Sequence, residues 1–440
     1  MRQLHILVLW DDAGNTASTV SQHVRALVEH SRHVVQPVSM MGEIPHALDL
    51  SRFDVIVIHY SLVISNDVYL SPQSRDRLRR SSALKVLFIQ DEYRFVNRSI
   101  DAMRSIDLSI LFTCVPESEI SKVYPEDTLP GVRKVNVLTG YVDQSLLSMR
   151  VPDYWNRSID IGYRARKVPA WLGQLGQEKW EIGRFVEEVA SNYGLTTDIA
   201  YREESRLYGI AWIQFLANCR ATLGVESGAS VFDFTGKIQN DVEGEVARSS
   251  AVPFGVLQRK YFIEEEGKIY LNQISPRCFE AAALKTLMIL YEGDYSGRLT
   301  PWRHYLPLKK DHSNFPQIVD CLRDESRVRE VTEAAYYEVA HDRRNSFVSM
   351  VEVFDDALEA ELGERYAPVL YSYTMQDLSA LQMESKRINA GRHRKRKIFS
   401  WCYFFLFGKI LGFTSEEFRD NVQKRLSLVL KPIYRSLFRR

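Results

Sequence analysis

Asn272-Gln-Ile-Ser-Pro-Arg-Cys-Phe-Glu280-Ala-Ala-Ala-Leu-Lys-Thr-Leu-Met-Ile289 contains the most informative pattern in this chain of 440 residues. It predicts a loop, a helix over 275–284 and a strand over 286–291, because Ser275 is a favoured N-cap residue and Pro276 suits the first helical position. A helix that begins at a strand edge presents free N–H groups and the positive end of its dipole. The stretch therefore predicts an anion site.

The residues before this stretch predict the rest of an α/β sheet. Strands are expected over 159–163, 197–200 and 222–225, and helices over 177–192 and 206–219. In the first 145 residues, short apolar runs alternate with amphipathic or polar stretches, which indicates buried parallel strands with helical crossovers. These runs cover 5–10, 33–38, 54–59, 85–90, 108–112 and 135–138, and a helix is expected over 16–29. Residues 151–157, with Pro152, are interpreted as the linker between two sheets.

Length and composition are those of a globular protein with more than one domain. Hydrophobic residues make up 45% and charged residues 26% of the chain, and its length exceeds that of one compact core. The five cysteines are widely spaced and form no CxxC pair, which favours a reducing, cytosolic compartment. The N-terminus lacks the pattern of a signal peptide. No GxGxxG, GxxxxGK[ST] or HExxH motif is present, which lowers the dehydrogenase, P-loop and zinc-protease interpretations.

The Ser-Pro-Arg-x-Phe-Glu run resembles the donor-site motif of GT-B glycosyltransferases, and in particular the group that includes the CgeB-like enzymes. It is similar to glycosyltransferase families 1 and 4 in the helix with Pro, Glu and small residues before a strand. The resemblance implies two Rossmann-like α/β domains that face a central crevice, followed by a helical basic tail. The expected boundaries are 1–150 for an acceptor domain, 158–330 for a nucleotide-sugar donor domain, 331–384 for closing helices and 385–440 for the tail.

The resemblance also implies the donor-binding residues. Glu280 matches the Glu that binds the nucleotide ribose, and Arg277 is placed to contact the diphosphate in a bidentate manner. Arg164 and Lys179 match the phosphate ligands of a Tyr-Arg-x-Arg and Leu-Gly-x-x-Lys loop, whereas Lys167 is interpreted as a solvated residue. The other expected donor contacts are Arg166, Glu226, Ser227, Gly228, Ser275, Glu292 and Tyr295.

Candidate catalytic residues follow an apolar run of the first domain. Asp91 and Glu92 come directly after the run at 85–90, at a strand end that should face the crevice. Either carboxylate could deprotonate an acceptor hydroxyl, and either could instead begin a helix. Thr139-Gly140-Tyr141, after the last run of this domain, is expected in a crevice loop.

The C-terminal tail carries most of the positive charge. Residues 385–440 contain 15 Lys or Arg against 3 Asp or Glu, although the whole chain has a net charge of only +1. A basic cluster followed by a short aromatic run predicts a segment that lies on an anionic membrane rather than crossing it, because the apolar run is too short. The residues expected at the membrane are Arg392, Arg394, Lys395, Arg396, Lys397, Trp401, Phe404 and Phe405. A helix docked on a partner protein or on the enzyme's own body is the alternative for this segment.

The sequence thus predicts a glycosyltransferase that moves a sugar from a nucleotide diphosphate sugar to a glycan or lipid-linked acceptor of a cell-surface polysaccharide. It would lie on the inner face of the cytoplasmic membrane, with no nucleic-acid partner. Neither a metal nor a cofactor is expected, since Arg and Lys side chains can hold the diphosphate. Retaining members of the resembled group usually carry an acidic residue where this chain has Asn272. A non-catalytic scaffold of the same fold therefore stays open as an alternative, and a sugar-nucleotide epimerase on this fold is a second one.

Overall fold

The computed structural model describes residues 3–12, 18–202, 205–249, 252–363, 366–370 and 372–404, without the side chains of Ser18, Met375 and 395–404. The first domain is built on a six-stranded sheet in the order β2-β1-β3-β4-β5-β6, in which all neighbouring strands are parallel. Its strands are β1 His5–Trp10, β2 Val34–Ser39, β3 Val55–Ile58, β4 Leu84–Ile89, β5 Ile110–Thr113 and β6 Arg133–Asn136. The six predicted apolar runs are therefore confirmed as strands, the last one shifted by two residues.

Helices cover both faces of this sheet, which is why the strands are apolar on both sides. All four residues of β3 are buried, as expected for a central parallel strand. The helices of this domain are α1 Ser18–His30, α2 Pro72–Arg80, α3 Val96–Ser105, α4 Glu117–Val123 and α5 Gln144–Leu147.

The second domain repeats the topology of the first. Its five-stranded parallel sheet has the order β8-β7-β9-β12-β13, which is the order of the first five strands of the first domain. The strands are β7 Ile159–Arg164, β8 Thr197–Ala200, β9 Cys219–Gly224, β12 Leu287–Tyr291 and β13 Leu306–Leu308. In both sheets the strand order reverses between the first and third strands in the sequence. Ligands of open α/β sheets bind at such a switch point.

The helices of the second domain flank this sheet, and a small antiparallel pair is inserted between β9 and β12. The pair is β10 Ser227–Ala229 with β11 Leu271–Gln273. The helices are α6 Gln174–Val189, α7 Gly209–Ala217, α8 Lys237–Arg248, α9 Phe254–Tyr261, α10 Pro276–Ala283, α11 Phe315–Arg323 and α12 Glu325–Ala335. The helix expected over 206–219 is shorter than predicted, because Cys219 already begins β9.

Two elements return to the first domain. Helix α13, Phe347–Leu362, buries Met350, Phe354 and Leu358 against the first sheet. Helix α14, Met375–Phe404, then packs along β2. Two parallel α/β sheets that face each other, with a C-terminal helix, fit the GT-B architecture, and the predicted fold class is confirmed.

Candidate functional site

A pocket with several basic residues in its lining opens at the carboxyl ends of β7, β9 and β12. This is where the strand order of the second sheet reverses. Its volume is about 310 Å³, and its basic residues are Arg166, Lys179, Arg206 and Arg277. We call it the cation pocket. Ser275 and Ser227 also line it, so five of the expected donor contacts meet in one place.

Lys179 lies at the centre of this charge cluster. Burial lowers the pKa of Lys179, the Asp91 carboxylate of the first domain opposes that shift, and Arg277 and Arg166 add to the lowering. The charged groups that act on the ammonium are thus one carboxylate of the first domain and two guanidinium groups of the pocket. In the part of the chain that the structure describes, no carboxylate lies within ion-pair distance of Lys179, Arg166 or Arg277. Unbalanced charge of this kind favours an anionic ligand.

The N-terminus of α10 forms one wall of the pocket. Ser275 occupies the N-cap position and Pro276 the first helical position, as predicted, but the Ser275 side chain makes no capping hydrogen bond. Arg277 donates to the carbonyl oxygen of Arg164 and lies over the Trp212 ring, 5.1 Å from its centroid. The first N–H groups of the helix and the Arg277 guanidinium thus lie beside the same space, as a phosphate site requires.

A second cavity lies between the two domains, on the other side of Pro276. It has a volume of about 430 Å³, and we call it the crevice cavity. The second domain contributes Trp212 and Glu280, whose carboxylate accepts a hydrogen bond of 2.8 Å from the indole Nε1. Burial raises the pKa of Glu280, while this hydrogen bond and the charge of Arg277 oppose the shift. The predicted ribose ligand therefore faces the interdomain space, one helical turn from the cation pocket.

The first domain contributes histidine, which the sequence interpretation missed. His23 of α1 lines the crevice cavity, and its ring lies 5.0 Å from that of His59, at the carboxyl end of β3. Burial lowers the pKa of His23 to about 3, so the imidazole is neutral at pH 7. Its Nδ1 is buried and has no hydrogen-bond partner among the described residues. The one signal in the sequence was the position of His23, five residues after the start of the helix that follows β1. A helix that follows the first strand begins at the crevice side of the sheet.

Asp91 and Glu92 have opposite environments although they are adjacent in the sequence. Asp91 is exposed, has a φ of 54°, and accepts a hydrogen bond of 3.1 Å from Tyr93. Glu92 is buried and accepts hydrogen bonds from Thr113, the Cys114 N–H and Tyr124. Only Asp91 faces the crevice, so Glu92 is corrected from a candidate base to a structural carboxyl group that ties β4 to β5.

Arg164 is also corrected, because its guanidinium turns away from the pocket. It forms an ion pair of 2.9 Å with Asp198 on the neighbouring strand β8 and lies over the Phe215 ring at 4.1 Å. Both contacts fix the side chain beneath the sheet edge. In this structure it holds β7 to β8 and offers only its carbonyl oxygen to Arg277.

Glu226 and Gly228 shape the loops around the pocket. The Glu226 carboxylate accepts from the N–H groups of Asp294 and Tyr295, at 3.1 and 2.8 Å, and from Asn272 at 2.8 Å. An acidic residue at 272 would face this carboxylate directly, so Asn272 is the residue that the Glu226 arrangement requires. Gly228 has a φ of 118°, and a Cβ there would meet the Leu271 carbonyl oxygen.

The other expected donor contacts lie outside the two cavities. Tyr295 is fully buried, and its hydroxyl donates to the Tyr291 carbonyl oxygen at 2.6 Å. It is thereby corrected from a ligand to a core residue. Glu292 is exposed in the loop after β12, and the lining of neither cavity includes it.

The predicted membrane residues other than Phe405 belong to the second half of α14. Arg392 is half-buried and donates to the Met41 carbonyl oxygen, so it contacts the protein, whereas Arg394 is exposed. The side chains of Lys395, Arg396, Lys397, Trp401 and Phe404, and the whole of Phe405, lie outside the described residues. None of the helices described has both the length and the apolar character needed to cross a membrane. No group of three His, Cys, Asp or Glu residues suited to a metal ion occurs in the described ranges.

No family model matches this sequence, and no curated protein matches it. Solved structures with a similar shape are of glycosyltransferases. An alpha-glucosyltransferase in complex with UDP and a 13-mer DNA containing a HMU base has a TM-score of 0.49 and 10% identity, over 81% of this chain and 100% of that chain. T4 phage BGT in complex with its UDP-glucose substrate has a TM-score of 0.46 and 9% identity, over 81% and 98%. Anabaena Alr3699/HepE in complex with UDP has a TM-score of 0.46 and 9% identity, over 81% and 100%. At TM-scores below 0.5, shared chemistry does not follow from shared shape.

Proposed function

We propose that this chain is a glycosyltransferase that takes a hexose from a nucleotide diphosphate sugar without the help of a metal. The observation that carries the proposal is the cation pocket. Three of the four basic residues that line it, Arg166, Lys179 and Arg277, have no carboxylate within ion-pair distance among the described residues. They lie beside the N-terminus of α10, at the position in the sheet where nucleotide ligands of this fold class bind. This arrangement suits the diphosphate of a sugar donor.

The pocket would stabilise the negative charge that develops on the diphosphate during sugar transfer. When the bond between the sugar and the diphosphate breaks, the leaving group gains negative charge, and fixed cations stabilise that charge in the transition state. Arg166, Lys179 and Arg277 are placed to do so. The Glu280 carboxylate, in the adjoining crevice cavity, can accept hydrogen bonds from the ribose hydroxyls.

The first domain would supply the acceptor and the group that receives its proton. Asp91 faces Lys179 across the crevice and is the one exposed carboxylate of the predicted pair. His23 faces the crevice cavity as a neutral imidazole. A proton from an acceptor hydroxyl would pass to one of these two groups, as general-base catalysis requires.

The acceptor is proposed to be a glycan or a lipid-linked sugar of a cell-surface polysaccharide such as lipopolysaccharide, reached from the inner face of the cytoplasmic membrane. The support is the basic tail, since about 1 kcal/mol is gained for each Lys or Arg near an anionic surface. No nucleic-acid partner is proposed, because the body of the chain is acidic once the tail is set apart.

The first test is the thermal stabilisation of the full chain by UDP-, GDP-, dTDP- and CMP-sugars, followed by assays of turnover. One diphosphate sugar should raise the melting temperature in the presence of EDTA, and the CMP-sugar, which has a single phosphate, should not. Lys179→Met and Arg277→Gln should weaken the binding roughly tenfold or more. Lys167→Met is the matched control, because Lys167 lies over the Trp180 ring outside the pocket. A chain that no nucleotide sugar stabilises would not be a glycosyltransferase of this kind.

The same assay separates the two alternatives. A scaffold would bind a nucleotide sugar without any turnover, and an epimerase would convert the sugar in the absence of an acceptor. Transfer to an added acceptor, with release of the nucleoside diphosphate, is the result expected here.

A further inference from the structure

A further cavity lies in the first domain and is not part of the donor site. Its volume is about 860 Å³, and it lies between residues 63–75, which follow β3, and α3 with the loop before it. We call it the first-domain groove. Most of its walls come from the segments that follow β3 and β4 in the chain.

A continuous line of residues connects this groove with the cation pocket. Asp91 interacts with Lys179 of the pocket, and Tyr93 donates to Asp91. Arg94 comes next, lies 5.9 Å from the centroid of the Trp171 ring in the second domain, and lines the groove. A ligand in the groove would therefore present one end to the donor site.

The charges of the groove leave a positive end near the crevice. Asp67 pairs with Arg75 at 2.6 Å. The Glu43 carboxylate in the groove wall lies near Arg392 of α14, whose pKa is lowered by burial and raised to a smaller extent by Glu43. Arg94 and Arg98 remain, and in the described ranges neither has a carboxylate within ion-pair distance. The one other charged group of the lining is Asp101, on the turn of α3 that follows Arg98.

Aromatic rings hold these two guanidinium groups in place. Arg98 lies 5.0 Å from the centroid of the Phe95 ring, and Arg94 lies near both Phe95 and Trp171. Two preorganised guanidinium groups without counterions are the usual recognition element for phosphate.

The opposite wall of the groove carries apolar side chains among polar ones and reaches the C-terminal helix. Val63, Ile64 and Val68 line it, and the Val63 side chain is 38% exposed. The Val68 carbonyl oxygen and the Arg392 guanidinium both lie close to Gly42. A Cβ at this position would be 3.1 Å from the oxygen and 3.4 Å from the guanidinium. The basic segment that begins at Arg392 thus starts beside the wall that contains Val68.

Resting on the proposed function, we infer that the groove binds the acceptor through a phosphate group, and that this acceptor is an amphiphile with the phosphate between its sugar and its hydrocarbon chain. The phosphate contacts Arg94 and Arg98, the sugar points to the crevice and the chain follows the apolar wall towards the basic tail. Arg94 and Arg98 are therefore the residues that determine acceptor specificity.

The test compares three probes on the full chain: farnesyl phosphate, glucose 1-phosphate and octyl glucoside. Farnesyl phosphate should bind most tightly, and Arg94→Gln and Arg98→Gln should each weaken it roughly tenfold. Arg104→Gln is the matched control, because Arg104 lies on the same helix outside the groove. Stabilisation by the nucleotide sugar should be unchanged in all three variants, which separates this inference from the donor site.

Each result decides part of the inference. If glucose 1-phosphate binds as tightly and with the same dependence on arginine, the phosphate site stands and the hydrocarbon chain is excluded. If octyl glucoside binds as well as the phosphates, or if neither arginine variant differs from Arg104→Gln, the inference is overturned. A loss of nucleotide-sugar stabilisation in the unsubstituted chain contradicts the proposed function instead, whatever the groove binds.

Discussion

At the scale of single residues, Glu92 shows how burial changes the chemistry of a carboxyl group. It lies between β4 and β5, and burial raises its pKa to about 7, although hydrogen bonds from Thr113, Tyr124 and the Cys114 N–H oppose the shift. A carboxyl group with these partners holds two strands together and has no access to a substrate.

The titration of Glu92 should make the protein less stable as the pH rises. In the unfolded chain the carboxyl loses its proton near its ordinary pKa of 4.5, and in the folded protein only near 7. The folded state binds more protons in this interval, so this contribution is complete below pH 4.5 and is lost as the pH rises through about 7. The loss should be on the order of 3 kcal/mol for a shift of this size.

Glu92→Gln removes this dependence, because an amide does not titrate. We expect the difference in free energy of unfolding between the unsubstituted chain and Glu92→Gln to shift between about pH 5 and pH 8, as measured by urea denaturation. Glu117→Gln, at an exposed carboxylate of α4, is the control and should show no such trend. Parallel curves for Glu92→Gln and the unsubstituted chain would contradict the assignment.

The same residues show where sequence interpretation ends. Asp91 and Glu92 share one strand end, and the sequence predicted a crevice position for both. The backbone turns at Asp91, with its positive φ, and that turn sends the next side chain into the core. Arg164 was matched to a phosphate ligand, but its position depends on Asp198, which is 34 residues away. Neither the turn nor the partner strand can be read from local sequence.

At the scale of elements, the strands were predictable, whereas the docking of α14 on the first domain was given only as the alternative to a membrane segment. Buried parallel strands are apolar runs, and such runs are visible in the sequence. Helix α14 packs on the first domain through Leu378 and Leu381 near its beginning and through polar contacts farther along. Ser385 donates to the Ser39 carbonyl oxygen, and Asn389 donates to Asp11 and Ser39 at 2.8 and 2.9 Å. A helix held by hydrogen bonds shows little apolar periodicity, so its basic residues dominated the prediction.

Asn389 should be the residue that fastens this helix. It is 1% exposed, and its amide joins α14 to the ends of β1 and β2. Asn389→Ala should lower the free energy of unfolding by about 1–3 kcal/mol, because buried hydrogen-bonding groups lose their partner. Backbone hydrogen exchange should also become faster in β2. Arg387→Ala, on the exposed side of the same helix, is the control, and an equal loss in both variants would argue against the docked arrangement.

At the scale of the whole molecule, the two domains are interlocked rather than joined by the linker alone. Phe232, Ile269 and Leu271, from the insertion that begins with β10 and ends with β11, lie in the hydrophobic core of the first domain. The N–H of Asp233 donates to the Tyr93 carbonyl oxygen at 2.8 Å. The sequence analysis placed this insertion in the donor domain because it lies within residues 158–330. Its packing against the other domain could not be predicted from the local sequence pattern.

The closed arrangement brings the crevice loop at Thr139 and Gly140 against α10. Thr139 Oγ1 donates to the Ile274 carbonyl oxygen at 2.7 Å, and a Cβ at Gly140 would lie 2.7 Å from Cγ of Pro276. The proline ring is rigid, so the domains would have to separate to admit a methyl group. Gly140 has no positive φ, and its backbone accepts alanine without strain.

Gly140→Ala should therefore slow transfer while leaving the cation pocket intact. The cation pocket belongs to the second domain, so nucleotide-sugar binding should persist. Transfer needs the acceptor from the first domain at bonding distance, and a displacement of this kind should reduce kcat roughly tenfold to a hundredfold. Gly244→Ala in α8, where a Cβ meets nothing within 4 Å, is the control. If both variants transfer sugar at the unsubstituted rate, the contact between Gly140 and Pro276 does not set the reactive distance, and a larger closure must precede catalysis.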